Sequence, residues 1–200
     1  MARIGTTRPP ASPTTRGQQD RQAAMLRAAA HLGARLPLEQ VQMSEVARSA
    51  GVALGTLYRY YPSKHHLYAG VLAAQVAAAN EASAPAPGPA TGSGDPVAAV
   101  ADLVTEACRR MLARPILARA MITSTNVVRA EGGARGDTTF RDLIVRTAGR
   151  ADPSEEDLRL GRLVEQTTYG ILTWAVAGEL TAAQAVADVR LACELLLRSR

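Results

Sequence analysis

Met25, Ala28, Ala29, Leu32 and Leu36 recur at three- and four-residue steps, so residues 16–34 present one apolar side and predict a helix. Short helices fit 44–50 and 54–61, and a longer one starts near Ser63 and carries Leu67, Val71, Leu72 and Val76. Four helices thus fill 17–81. The segment SAPAPGPATGSGD (83–95) then concentrates Pro, Gly and Ser beyond what a helix or strand tolerates, and predicts a domain boundary. Asp95-Pro96 supplies a capping carboxylate and a proline at the first helical position, predicting a helix over 96–113. Pro115 opens another that stops before Gly132-Gly133, and Asp137 caps a third with Phe140, Leu143 and Ile144. Ser154 with Asp157, and Thr181 with Gln184, have the spacing of capping boxes, and Gly178 closes the helix between them. That helix, over 158–177, is apolar on more than one side, with Leu163, Val164, Ile171, Leu172, Trp174 and Val176; Val186, Val189, Cys193, Leu196 and Leu197 form the stripe of the last one. So much apolar surface on the final pair predicts burial against a second subunit, with an ordinary intradomain bundle as the alternative.

Composition agrees with an all-α chain. Of 200 residues 47% are hydrophobic, mainly Ala and Leu, with one Phe and one Trp. The first twenty residues lack the apolar stretch of a secretory signal and no run is long enough to span a membrane, which predicts a cytoplasmic protein without a membrane partner. Cys108 and Cys193 show no metal-ligand or redox spacing and read as small buried hydrophobes. The net charge of +5 is unevenly placed: residues 1–79 hold nine basic and three acidic side chains, whereas 80–200 are nearly balanced. The excess in the first third suits a polyanion held by counterion release.

The residues 41–68, VQMSEVARSAGVALGTLYRYYPSKHHLY, have the layout of a helix-turn-helix over about 42–61. Gly51 permits the abrupt left-handed turn. Val46, Ala47, Val52 and Leu57 form the inner faces, leaving Leu54, Gly55, Thr56, Tyr58, Arg59 and Tyr60 on the exposed side of the second helix. Hydroxyls and an ammonium suit phosphate contacts, and Arg59 suits a bidentate pair with guanine.

Val46-Ala47, Ala50-Gly51-Val52, Gly55-Thr56-Leu57-Tyr58, Tyr60-Tyr61 and Ser63-Lys64, followed by Leu67, make this segment resemble the DNA-binding region of the TetR family. The resemblance implies an all-α fold: an N-terminal three-helix helix-turn-helix domain (17–81) after a disordered tail (1–16), a linker (82–95), and a helical ligand-binding and dimerisation domain (96–200). It also implies that Thr56, Tyr58, Tyr60 and Lys64 contact phosphates while Leu54, Gly55 and Arg59 face base edges of a double-stranded operator. Two departures stand out. Met43 and Ala53 occupy positions where the family often has capping Thr and Ser; Ser44 is a candidate replacement cap for the first helix, and the second lacks one. Pro37 replaces a glycine common after the first helix. The VQM opening, GTLYRY core and following PSK further resemble repressors of steroid and cholesterol catabolism.

That resemblance implies a homodimeric, ligand-responsive repressor released from a palindromic operator by a small apolar effector such as an acyl-CoA or steroid-like metabolite. Met111, Met121, Thr125, Phe140, Tyr169 and Trp174 are the candidate ligand residues, since thioether, aromatic and hydroxyl groups suit a large apolar molecule with a polar end. Alternatives are an activator or a regulator without ligand, and an all-helical ligand-binding or interaction protein with no DNA role. Nothing points to an enzyme, a cofactor or a metal: His31, His65 and His66 have no ligand spacing, and no GxSxG, Walker or dinucleotide motif occurs. His65 and His66 are expected on the surface beside Lys64.

Overall fold

The computed structural model describes residues 14–82, 95–132 and 137–198. The expected tail (1–16), except its last three residues, and the expected linker (82–95), except its ends, lie outside them. Among the described residues the chain forms nine helices and no strand, and no helix is long and apolar enough to cross a membrane.

α1 (Arg16–Gly33) starts where Thr15 and Gln18 exchange side-chain and backbone bonds in a capping box. Its apolar side packs against α2 (Met43–Ser49) and α4 (Lys64–Ala82), and α3 (Leu54–Tyr60) joins the same core through Leu57 and Tyr60. Met25, Val41, Val46, Leu57, Leu67 and Tyr68 are sealed in that core. α5 (Pro96–Leu112) begins with Asp95 accepting the Val97 N–H, and α6 (Pro115–Ala130) with proline in its first turn. α7 (Thr139–Thr147) starts two residues after the expected cap; Asp137 accepts the Thr139 N–H at 3.1 Å and its hydroxyl at 2.7 Å. α8 (Glu155–Ala177) has the Ser154–Asp157 box and ends at Gly178 with φ +91°. α9 (Ala182–Arg198) starts with Thr181 and Gln184 bonded reciprocally.

The second core joins α5, α6, α7, α8 and α9 around Val100, Val104, Ile122, Ile144, Val164 and Val189. Cys108 and Cys193 are buried in it, and desolvation pushes their thiols up to about 12 and about 11, so both stay protonated and inert. The two cores are not sealed from each other. α4 packs extensively on α6, whose Leu117, Ala120 and Met121 belong to the N-terminal core. A movement of α6 is therefore felt by the helix that follows α3.

Gly33 is required by packing. A Cβ there would meet the Tyr68 ring at 2.5 Å, and Tyr68 is fixed because its buried hydroxyl donates to the Ala29 carbonyl at 2.9 Å. Gly33→Ala is expected to destabilise the protein by about 1–3 kcal/mol through overpacking, read as a lowered urea midpoint with unchanged m.

Candidate DNA-binding surface and ligand cavity

The turn between α2 and α3 is a complete Schellman motif. The Val52 N–H reaches the Ala47 carbonyl at 3.0 Å and the Gly51 N–H the Arg48 carbonyl at 3.2 Å, with Gly51 at φ +66°. Burying Val46, Ala47 and Leu57 then fixes α3 against α2. Neither helix has a side-chain cap: Gln42 and Ala53 occupy the cap positions without bonding. Ser44 therefore does not cap α2, because Met43 is drawn into the core as the first helical residue.

On α3, Leu54 is 41% and Tyr58 45% exposed, Gly55 and Arg59 are also exposed, and Thr56 is half-buried. Tyr60 departs from expectation. It is only 4% exposed and joins Tyr61 in the core, because Tyr60 lies three residues after Leu57 on the same side of the helix and Tyr61 turns to extended backbone at φ −132°. Its ring instead supports Arg59, whose guanidinium carbon lies 5.6 Å from the ring centroid. Tyr60 therefore lies on the sheltered side of α3, not on the exposed side where its expected phosphate contact would place it.

Lys64 is half-buried and its ammonium donates to the carbonyls of Leu38 at 3.0 Å and Glu39 at 3.2 Å, tying the start of α4 to the segment between α1 and α2. His65 and His66 are likewise not free surface groups. His65 Nδ1 lies 3.3 Å from Ser124 Oγ on α6, His66 Nδ1 lies 2.9 Å from Ser63 Oγ, and His66 Nε2 is 4.0 Å from Glu131. The Ser63–His66 contact is local to the start of α4, whereas the links to Ser124 and Glu131 depend on where α6 crosses α4 and have no signal in the sequence.

Gly55 is informative because the fold does not require it. A Cβ there meets nothing within 4 Å, and its φ is ordinary. Gly55→Val should therefore leave the protein folded, with stability unchanged or raised by up to about 1 kcal/mol, since Gly is a poor interior helix residue. If α3 lies against DNA, the same substitution weakens operator binding at least tenfold; thermal melts and gel shifts on one preparation separate the two effects.

Between α4, α5, α6, α7 and α8 lies a cavity of about 160 Å³, lined by Leu72, Val76, Met111, Phe140 and Leu172 with Thr125, Tyr169, Arg129, Asp137 and Glu165 as polar and charged groups. Four of the six ligand candidates, Met111, Thr125, Phe140 and Tyr169, come together there. Met121 does not line it: at 1% exposure it belongs to the junction core between α6 and the N-terminal helices. Trp174 is 57% exposed, on the outer side of α8. Thr125 bonds its hydroxyl back to the Met121 carbonyl, and the Tyr169 hydroxyl lies 3.2 Å from the Ile122 carbonyl and 3.1 Å from Asn126 Oδ1. Burial raises the Tyr169 phenol above its ordinary range, so it remains a neutral hydrogen-bonding group. Sequence reasoning misses Arg129; an arginine near a helix end reads as a solvated charge unless the facing helix is known.

Residues 25–71 match the family model of bacterial regulatory proteins of the tetR family, and residues 94–196 match the tetracyclin repressor-like C-terminal domain. The chain belongs to the TetR family. Over 187 residues it is 28% identical to the HTH-type transcriptional repressor KstR of Rhodococcus jostii, covering 92% of this chain and 86% of that one. A crystal structure of a TetR transcriptional regulator from Rhodococcus sp. RHA1 superposes with a TM-score of 0.79 at 37% identity, covering 91% of this chain and 97% of that one. The fold is also that of Thermus thermophilus FadR, a TetR-family repressor crystallised with lauroyl-CoA, at a TM-score of 0.65, 19% identity, and coverage of 88% and 93%. This TetR-family chain is thus a transcriptional regulator with a DNA-binding helix-turn-helix.

Proposed function

We propose that the protein is a ligand-responsive repressor that binds a palindromic operator as a homodimer and is released by a small apolar effector. The observation that carries this reading is the pairing of an outward-facing α3, with Leu54, Gly55, Tyr58 and Arg59 in solvent, with a mostly apolar cavity one helix away. Leu54, Gly55 and Arg59 are assigned to base edges, Thr56, Tyr58 and Lys64 to phosphates. Lys64 keeps one ammonium proton beyond its two carbonyl bonds, enough for a single phosphate contact.

The effector class proposed is an acyl-CoA or a steroid-like metabolite. It is supported by the apolar lining, by the resemblance of the DNA-binding segment to repressors of steroid and cholesterol catabolism, and by the capacity of this fold to hold an acyl-CoA in FadR. At about 160 Å³ the cavity is smaller than the roughly 300 Å³ at which ligand pockets usually begin. A molecule of this class must therefore enlarge it. Leu72 and Val76 of α4 form part of the wall, and α4 is joined to α3 by residues 61–63 alone, so enlargement displaces the recognition helix.

Ligand and operator then oppose each other by linkage, each weakening the other by the same factor. The test is titration of acyl-CoAs and steroid acids into the protein on an operator recovered from genomic fragments. Release, with equal factors measured from both sides, supports the reading; tight binding with unchanged operator affinity removes the sensing role. Along the route from cavity to helix, His65→Ala deletes the His65–Ser124 link between α4 and α6. The expected outcome is operator binding within about threefold of wild type with a reduced ligand effect, on the scale of the roughly 0.5–2 kcal/mol by which such positions alter coupling.

A further inference from the structure

The cavity wall carries an unbalanced polar arrangement. Glu165 is held by Arg141 through contacts at 3.1 and 3.2 Å, and Asp137 by the backbone N–H and hydroxyl of Thr139. Among the described residues lining the cavity, Arg129 is the only cation, and no carboxylate of those residues lies within ion-pair distance of it. Its guanidinium carbon sits 4.3 Å from the centroid of the Tyr169 ring. Stacking uses the flat face and leaves the N–H donors on the edge, in the fork that matches a carboxylate or phosphate. The ring also limits how far the group can swing, so little freedom remains to be lost on pairing. Arg129 is exposed while Leu72, Met111 and Leu172 are half-buried or buried, which places the charge at the mouth and the apolar wall inside.

We infer that this cavity selects an amphiphile with an anionic head, of which one carboxylate or phosphate group pairs with Arg129 at the mouth, and with its apolar body directed inward. The inference rests on the proposed sensing role and narrows it: of apolar molecules of equal size, the neutral alcohol or ester is rejected because it leaves the guanidinium edge unpaired. The present volume matches the roughly 150 Å³ cavity that holds a benzene ring, so about six carbons fit before α4 must move. The carboxylate of Asp137, on the same wall, opposes the incoming anion and sets an upper limit to the affinity.

The test uses the full chain and four probes, hexanoate, hexyl phosphate, hexanoyl-CoA and 1-hexanol, with binding measured by calorimetry. Hexanoate is expected to bind at least tenfold more tightly than 1-hexanol. Arg129→Gln abolishes that difference without changing 1-hexanol binding, Arg129→Lys restores part of it, and Asp137→Asn strengthens hexanoate severalfold. Both positions are at the exposed mouth, and unchanged 1-hexanol binding reports an intact apolar wall. Preference for hexanoate assigns a free acid, preference for hexyl phosphate or hexanoyl-CoA a phosphate-bearing ligand; either, if lost in Arg129→Gln, supports the inference. No preference for hexanoate, hexyl phosphate or hexanoyl-CoA over 1-hexanol, a preference insensitive to Arg129→Gln, or no binding by any probe overturns it. Operator affinity measured alongside separates the two readings: Arg129-dependent binding without operator release keeps the anionic site and removes the sensing role, while release by 1-hexanol alone does the reverse.

Discussion

Arg59→Ala is expected to weaken operator binding by about 1–3 kcal/mol per half-site and to relax the preference at one base position, while binding to random DNA changes little. A two-fold dimer carries the loss twice. The physical basis is local: Arg59 is in solvent on α3, its stem cannot enter the core because Leu57 and Tyr60 fill that side, and the Tyr60 ring 5.6 Å beneath it restricts its rotamers before any DNA arrives. Lys64→Ala should behave differently. It removes both carbonyl bonds to Leu38 and Glu39 together with the proposed phosphate contact, so stability falls along with affinity for every sequence, and the salt dependence flattens by about one unit for each phosphate no longer neutralised. Equal loss on specific and random DNA for Arg59→Ala would take that residue out of sequence readout.

The second large effect concerns assembly. Leu191→Glu with Leu195→Glu is expected to convert the protein to a monomer and to lower operator affinity by more than a hundredfold. Leu191 is 54% and Leu195 65% exposed, on the side of α9 opposite Val189 and Cys193. On α8, Leu163, Thr167, Gly170 and Trp174 recur at helical steps; Leu163 and Trp174 are exposed, and a Cβ on Gly170 would meet nothing. Together these helices show solvent more apolar surface than a solitary bundle gains by exposing, and a small residue in the stripe lets another helix approach closely. Covering one such leucine is worth about 1.5–3 kcal/mol, and a two-fold interface counts each twice. Because neither leucine is in the core, folding should survive, as circular dichroism would show. A variant that sedimented as a dimer with wild-type operator affinity would place the interface elsewhere.

What is legible in the sequence is mainly what is decided locally. The boxes at Ser154–Asp157 and Thr181–Gln184, the Asp95-Pro96 start and the Gly51 turn each depend on side chains within a few residues of the backbone they bond, and each forms at its expected place. Tyr60 is misplaced when the exposed side of α3 is taken from the residues expected to touch DNA; the spacing from Leu57 turns it inward. His65 and His66 read as surface residues because the crossing of α4 and α6 is a tertiary fact with no local signal. The ligand candidates divide for the same reason. Met111, Thr125, Phe140 and Tyr169 meet across four helices, Met121 fills the junction where the two cores join, and Trp174 points away from both. Apolar periodicity shows which side of a helix is sheltered, not whether a neighbour, a ligand or a second subunit shelters it.

The central claim, sequence-specific binding of a two-fold dimer through α3, is tested most directly by selecting genomic fragments bound by the purified protein and footprinting the recovered site. The account predicts an inverted repeat whose half-sites are protected in major grooves about one helical turn, or a multiple of it, apart, occupied by two chains and lost in Arg59→Ala. Fragments sharing no inverted repeat, or a site occupied by one chain, would contradict it.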